Sequence, residues 1–551
     1  MSVSDDTDVD VVVIGGGVNG TGVARDAAQR GLRVALFERN DIAFGASGNS
    51  SGMLHGGPRY LLYDPEVTYT SCLDSGHIQS IAPHLLFRIP FLMPIYASAM
   101  ASKVTLTLYD AFFGLYDRYQ PLKRGKPHVR LTPEELRALE PGLRGEVVGG
   151  VSFDEWGIDG TRLCIGSAVD AMERGAEVRA HATVTDILRR DDGSVRGVRY
   201  RDRETGETGV RTARMVVNAT GAWAPITATL GGLAPKAARV RPGKGIHVFY
   251  DRRLTNYAIV CEAVDGRQMF LLPWQNMTVI GTTDDDFYGD LDDVVATGDE
   301  VRYLVQAVER VFPAIRAGRI IGTWAGVRPT LHAWGPNEDQ LSREHQIVDH
   351  AEHGASGLYS MIGGKLASYR IFAEEMTDVL ARRAGIGARS RTHELALPGG
   401  DERVEPLVLA EQARIEPVAA ARLEYRHGGR SLRVLERMLR DPRERAVVCE
   451  CEPVTLAEIR YVVENELATT VDDVSRRTRL GLGACGGMRC AARCGQIVAD
   501  ATGRSPADGA RMASEFLARA ARRRLSTIGP EQARQEALAL GAERALLGAP
   551  R

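Results

Sequence analysis

Three glycines near the start of the chain stand at the spacing that a dinucleotide phosphate requires. Gly15, Gly17 and Gly20 read G-x-G-x-x-G directly after the apolar run VDVVVI, and Glu38 stands 18 residues beyond Gly20. Gly15 permits a tight turn, Gly17 lets backbone approach a pyrophosphate, and Gly20 lets the following helix pack against the strand. The first N–H groups of that helix and its positive dipole end favour phosphate, while Glu38 can accept hydrogen bonds from ribose hydroxyls. Glycine-rich turns are common, so the glycines alone say little. Strand, spacing, helix and acid together point to a dinucleotide, without choosing between a flavin and a nicotinamide.

Two further groups of residues could do chemistry. GASGNSSGMLHGGPRYL, residues 45–61, is dense in small residues and then delivers His55, Arg59 and Tyr60. Small residues at this density pack poorly, so the segment is expected to approach a ligand closely. Five of the eight cysteines fall between Cys449 and Cys494, as a C-x-C pair (Cys449, Cys451), a C-x4-C pair (Cys485, Cys490) and the extra Cys494. A disulfide framework spreads its bridges along a chain, whereas a tight cluster reads as a metal or iron–sulfur site. Four thiolates suit a [2Fe–2S] cluster; zinc is the main rival, although structural zinc sites usually show C-x2-C pairs. Unmetallated thiols are the remaining alternative. Arg476, Arg477, Arg479, Arg489 and Arg493 crowd the same stretch, either to offset an anionic cluster or as exposed helix charges.

These residues must be held by several layers of structure. A chain of 551 residues is too long for one hydrophobic core. Asp8–Glu38 reads as strand, glycine loop, helix and strand, one βαβ unit. Strand-like runs recur at Glu177–Val184, Val195–Arg201, Met215–Asn218, His247–Tyr250, Met269–Pro273 and Met277–Gly281, with helical patterns at Thr161–Arg174, Gly298–Val311 and Ser368–Ala384. The mixture predicts α/β together with α+β layers. After Ala396, LPGGDERVEP reads as a linker, and the remainder is helix-prone. The expected division is 1–397, a helical linker region 398–445, a cysteine module 446–500 and a helical tail 501–551.

Composition excludes some classes. An apolar fraction of 44% and a charged fraction of 25% are ordinary for a soluble globular protein, and a net charge of -2 gives no reason to expect nucleic acid. Asp5, Asp6, Asp8 and Asp10 stand where a signal peptide needs basic residues. The longest apolar candidate, Leu85–Met100, is broken by Arg88, Pro90 and Pro94. A cytoplasmic location is therefore expected, with any membrane contact made peripherally at the inner face or through a partner. Val104–Lys126, apolar and ending in KRGK, is expected to pack internally rather than touch lipid.

A family resemblance rests on these motifs. S-x-[LM]-x-H-G-G-x-R-Y-L, here Ser51–Leu61, is similar to the hallmark of the FAD-dependent glycerol-3-phosphate dehydrogenases. KGIHVF (Lys244–Phe249), LLPW (Leu271–Trp274), IGTTD (Ile280–Asp284), AGVRP (Ala325–Pro329) and GGKLASYR (Gly363–Arg370) follow in the family's order, from residue 8 to about residue 400. VVNATGAW (Val216–Trp223) resembles the second flavin-contacting segment of FAD families whose substrate domain is inserted into the nucleotide fold. Ala367 and Ser368 depart from the family's more usual hydroxyl and threonine. The resemblance implies a Rossmann-like FAD-binding domain with an inserted mixed-sheet substrate domain. It implies FAD contacts from Gly15, Gly17, Gly20, Glu38, Arg39, Ser47, Ser51, His55, Gly56, Val184, Ala219, Thr220, Gly221, Gly364, Lys365 and Leu366.

For the substrate, glycerol 3-phosphate, it implies Arg59, Tyr60, Trp274, Thr283, Arg328, Arg343 and Lys365. A phosphate dianion calls for guanidinium and ammonium groups. Oxidation at C2 needs a base for the hydroxyl proton and a cation near the developing alkoxide. His247 is the first choice of base and His55 the second, His55 being equally suited to pack against the flavin; Arg328 is the candidate cation. The cysteine pattern resembles the bacterioferritin-associated-ferredoxin-like domain found at the end of the corresponding chain of the anaerobic enzymes. That implies a [2Fe–2S] cluster on Cys449, Cys451, Cys485 and Cys490, electrons leaving to quinone or partner subunits, and an oligomer. Rival readings are an oxidase that uses oxygen, a related dehydrogenase of another hydroxy acid or amine, and a redox sensor.

Overall fold

The computed structural model describes residues 7–62, 64–96, 102–335, 341 and 344–548. Its first layer grows from the βαβ unit. Strand β1 (Val9–Ile14) is apolar apart from Asp10 and pairs in parallel with β2 (Val34–Phe37) on one side and with Thr208–Asn218 on the other. Strands buried on both faces lose the polar alternation of half-exposed ones, which is why VVVI and VALF read as continuous runs. Helix α1 (Val18–Gln29) covers the sheet, against the helices Gly160–Glu173 and Tyr369–Ala384. The sheet has eight strands, including an antiparallel arm, Ala182–Arg189 with Val195–Asp202.

The second layer is a ten-stranded sheet built by the segments between those strands. Val240–Tyr250 pairs antiparallel with Met277–Gly281 and Ile320–Leu331, and Leu86–Tyr96 pairs with Val147–Ile158 along its length. The expected mixture of parallel and antiparallel layers is therefore present, with the mixed sheet inserted into the nucleotide-binding one. The helix Gly298–Val311 has the predicted bounds, opened by a Thr297–Glu300 capping box. The apolar run Leu85–Met100 is, over Leu86–Tyr96, a strand of the inserted sheet. No helix among the described residues is long and apolar enough to cross a membrane.

Val104–Lys126 falls on the helix Ser102–Tyr116 and the turns after it. Leu106, Phe113 and Tyr116 are buried, while Val104, Leu108 and Leu115 are exposed. Its basic end is divided: Arg124 and Lys126 are exposed, while Lys123 is fully buried and pairs with Glu155 at 2.5 Å. The C-terminal region is helical, and one apolar cluster runs from Val404 to Leu517, so the helices on either side of the cysteines share a core with them.

Candidate active site

A cavity of about 1580 Å³ lies between the two large sheets, with walls supplied by both. At one end stands the β1–α1 turn. Gly15 has φ +110°, and a Cβ there would sit 2.6 Å from the Ala219 carbonyl oxygen; a Cβ on Gly20 would sit 1.9 Å from that of Gly15. These two glycines are demanded by the turn itself, and Gly20 accordingly packs inside rather than lining the cavity. Gly17 faces it, and a Cβ there would meet only Ser47 Oγ, at 3.3 Å. Glu38 accepts from the Gly16 N–H at 2.7 Å and the Asn40 N–H at 2.8 Å; burial raises its pKa and those two bonds oppose the shift. Ser47 Oγ accepts from the Val18 N–H at 3.0 Å, tying the small-residue loop to the helix start.

Opposite, Asn218 ends its strand fully buried, donating to the Ala224 carbonyl at 2.9 Å and Ser360 Oγ at 3.1 Å and accepting from Thr220 Oγ1 at 2.7 Å. This locks Ala219, Thr220 and Gly221 into the wall, where Val184, Gly364 and Leu366 join them. Arg39 lines the same end, bonded to Asp292 at 3.0 Å and stacked on Trp223 at 5.4 Å.

The other end gathers the titratable residues. His55, Arg59, Tyr60, His247, Arg328 and Lys365 all line it, beside Ser51. Pairing of Val240–Tyr250 with its two neighbours places His247 opposite Gly281 and Trp324. A Cβ on Gly281 would stand 2.4 Å from the imidazole, and one on Gly245 would stand 2.4 Å from Arg328 Nη2, so glycines make room for both side chains. His247 Nε2 is 2.8 Å from Ser51 Oγ, while Nδ1 is buried without a partner. Burial, then the Arg328 guanidinium, pushes the His247 pKa down to about 3, so the ring is neutral.

Arg328 donates to Asp284 at 2.9 Å, Thr282 Oγ1 at 3.0 Å and the Thr283 carbonyl at 3.2 Å. Lys365 Nζ lies 4.8 Å from the Tyr60 ring centre and 3.4 Å from the His55 carbonyl. Burial lowers its pKa, with Tyr60, Cys72 and Glu155 opposing and Arg59 adding. Arg59 caps the same ring, its guanidinium 4.8 Å from the centre.

Besides Gly20, three expected contacts are placed elsewhere. Thr283 turns inward to accept from the Ile246 N–H at 3.1 Å, and Gly56 packs where a Cβ would meet Cys72 Sγ at 2.3 Å. Trp274 belongs to a smaller neighbouring cavity, edge-to-face with Trp324 at 5.5 Å and under Arg479 at 4.4 Å. Arg343 lies outside the described residues. Two features escaped the sequence reading. Asp284, the acid that holds Arg328, closes the IGTTD motif and could have been inferred from it. The buried trio Glu155, Lys123 and Tyr116 beneath the His55 loop, with the Tyr116 hydroxyl 2.6 Å from Glu155, carried no local signal.

The cysteines come together in pairs. Cys451 and Cys485 have their sulfurs 3.7 Å apart. Cys490 hydrogen-bonds to Cys449, and that bond, with the N–H groups of Gly481 and Glu452, lowers the Cys449 pKa to about 6 against the opposing effect of burial. Among the described residues, three potential metal-ligand atoms lie within 4.8 Å of one another only at Asp41, His181 and Asp473. There the Arg477 guanidinium, 2.8 Å from Asp41, already supplies the positive charge.

Comparison with known proteins agrees with this geometry. A family model described as FAD dependent oxidoreductase matches residues 10–370, and one described as the C-terminal domain of alpha-glycerophosphate oxidase matches residues 390–509. An anaerobic glycerol-3-phosphate dehydrogenase chain of Escherichia coli K12 is 34% identical over 502 residues, 90% of this chain and 89% of its own. Glycerol-3-phosphate dehydrogenase 2 of Mycobacterium tuberculosis H37Rv is 32% identical over 97% of this chain and 92% of its own. The structure of a glycerol-3-phosphate dehydrogenase from Bacillus halodurans complexed with FAD superposes with a TM-score of 0.74 at 26% identity, covering 95% of this chain and 97% of that one. The chain therefore belongs to the FAD-dependent oxidoreductase family, in the group of the glycerol-3-phosphate dehydrogenases that includes the anaerobic enzymes.

Proposed function

We propose that the chain oxidises sn-glycerol 3-phosphate to dihydroxyacetone phosphate with FAD. One observation carries the reading: Arg328, Lys365, Arg59 and a neutral His247 line the same cavity as the β1–α1 glycine turn. Gly17, Ser47, Glu38 and Ala219–Gly221 would hold FAD, and the open space beyond Gly17 is where its pyrophosphate fits. When bound, FAD supplies the acceptor for the hydride from C2.

The chain's own residues do the rest. Arg328, aimed by Asp284, and Lys365 bind the phosphate, and Arg328, close to His247, also stabilises the alkoxide that develops as the imidazole takes the proton. His247 takes the hydroxyl proton at Nε2, the nitrogen that Ser51 holds on the cavity side. Dye-linked turnover with glycerol 3-phosphate, yielding one dihydroxyacetone phosphate per two electrons, tests this; turnover with glycerol at the same efficiency would contradict it.

Cys449, Cys451, Cys485 and Cys490 would hold a [2Fe–2S] cluster, which would supply one-electron transfer to quinone or a partner protein. The residues fit such a group: two thiolates on one tetrahedral metal with bonds of about 2.3 Å stand about 3.7 Å apart, as Cys451 and Cys485 do. A single zinc would need all four sulfurs that close, and the paired arrangement favours two metals. Peripheral membrane contact, an oligomer, and the division at residues 397, 445 and 500 belong to the same reading. The match to an alpha-glycerophosphate oxidase domain favours a second reading, in which oxygen takes the electrons. Hydrogen peroxide formed stoichiometrically under air would select it.

A further inference from the structure

A second cavity, of about 140 Å³, lies between the flavin-side loop Ser47–Gly52 and the cysteine-bearing region. We propose that it is a binding site for a small oxyanion of phosphate size, held by donors from both the inserted sheet and the C-terminal helices.

Three donors in its lining have no partner. The indole Nε1 of Trp274 and of Trp324 and Nη1 of Arg479 are buried atoms with no hydrogen-bond partner, and all three residues line this cavity. Leaving a buried donor unmade costs about 1–3 kcal/mol, so three around one space point to an acceptor that the protein does not provide. Four arginines, Arg476, Arg479, Arg523 and Arg524, share the lining with two acids, Asp159 and Asp472. Both acids are committed, Asp159 to the N–H groups of Thr161 and Arg162 and Asp472 to Arg519. The Arg523 guanidinium, on an exposed residue, makes no hydrogen bond or ion pair among the described residues, and Arg476 and Arg519 crowd it against the pull of Asp472. Arg476, Arg479 and Arg524 are paired with Asp41, Glu452 and Glu536, so what one oxyanion would relieve is the three donors without acceptors and the Arg523 guanidinium.

The size agrees, since the cavity has room for about four or five waters at ~30 Å³ each, or one phosphate with a water. Glycine supplies the close approach on the cysteine side, where Gly481, Gly483 and Gly486 line it. A bound anion would therefore join Trp274 and Trp324 of the inserted sheet to Arg479 and Arg523 of the C-terminal region and stabilise their docking.

The test is equilibrium dialysis of flavin-loaded protein with labelled inorganic phosphate, at saturating glycerol 3-phosphate so that the larger cavity stays filled. One phosphate retained per chain is expected. Its affinity should fall tenfold or more in Trp324→Phe/Arg523→Met and, separately, in Trp274→Phe, with bound flavin unchanged. Arg328→Ala, which touches only the larger cavity, should leave this binding alone whether or not the substrate reading holds. No phosphate retained at saturating glycerol 3-phosphate, or equal retention in wild type and both variants, would overturn the proposal and leave the cavity to water.

Discussion

At Arg328 the guanidinium is already aimed before any anion arrives, because Asp284 and Thr282 hold its two terminal nitrogens and Gly245 leaves it space. A pre-aimed arginine loses little entropy on binding phosphate. Arg328→Ala should raise KM for glycerol 3-phosphate by an amount equivalent to about 2–4 kcal/mol, while turnover of glycerol barely changes; steady-state kinetics on both substrates checks this. His247 makes a pH prediction. Its pKa of about 3 in the free protein means that it needs no deprotonation above pH 5. The acid limb of kcat/KM should then reflect only the substrate's own second ionisation, near about pH 6, and should persist in His247→Gln at much reduced kcat. A limb that disappears with the imidazole would show that His247 titrates near neutrality instead. Gly17→Val should yield protein without FAD, since the side chain would fill the space before the helix terminus; absorbance near the flavin bands reads this directly. Much of this scale was legible, because glycine spacing and the HGGPRYL and AGVRP motifs are local. Thr283 and Trp274 face away from the large cavity, because a motif shows that residues lie near a site, while the local backbone decides which side chains face it.

The elements that dock the C-terminal region onto the nucleotide-binding layer do so through buried charges. Arg477 on the helix Val471–Thr478 pairs with Asp41, three residues beyond Glu38, and both are buried. Arg477→Met should lower stability by about 3–5 kcal/mol, because Asp41 is left buried without its partner, and FAD retention should fall with it; thermal unfolding and flavin release check both. Beside it, His181 hydrogen-bonds Asp473 at 3.1 Å. Burial works against the charged imidazole, but Asp473's hydrogen bond and charge prevail, so its pKa is raised. A raised histidine pKa contributes stability that is fully present below the unfolded value of about 6.5 and is lost as pH rises through the folded value. His181→Gln should therefore destabilise more at pH 6 than at pH 9. None of this network could be read from sequence, since its members lie up to 436 residues apart. The strand Leu86–Tyr96 was hidden for a related reason: Pro90 and Pro94 argue against a strand locally, yet the segment pairs with Val147–Ile158 through its whole length.

Across the whole molecule, the two layers and the helical region were legible because strand–turn–helix order and the shift to helix-prone sequence after residue 396 are statements about long stretches. The inward course of Lys123 was not, because a basic run reads as surface until its counter-charge, Glu155, is seen. Hydride chemistry delivers two electrons together, whereas a [2Fe–2S] cluster takes one, so the cysteine module makes sense with a one-electron acceptor. Cys485→Ser should lose iron and labile sulfide, keep FAD, keep flavin reduction by substrate, and lose transfer to the physiological acceptor. Stoichiometric zinc in anaerobically purified wild type would make the module structural.

The most direct test of the central claim is an anaerobic titration of the purified, flavin-loaded protein with glycerol 3-phosphate, followed in the visible absorbance of FAD. The flavin bands should bleach, with dihydroxyacetone phosphate formed in step and glycerol without effect at the same concentration. Flavin that dithionite reduces but glycerol 3-phosphate leaves oxidised would contradict the account.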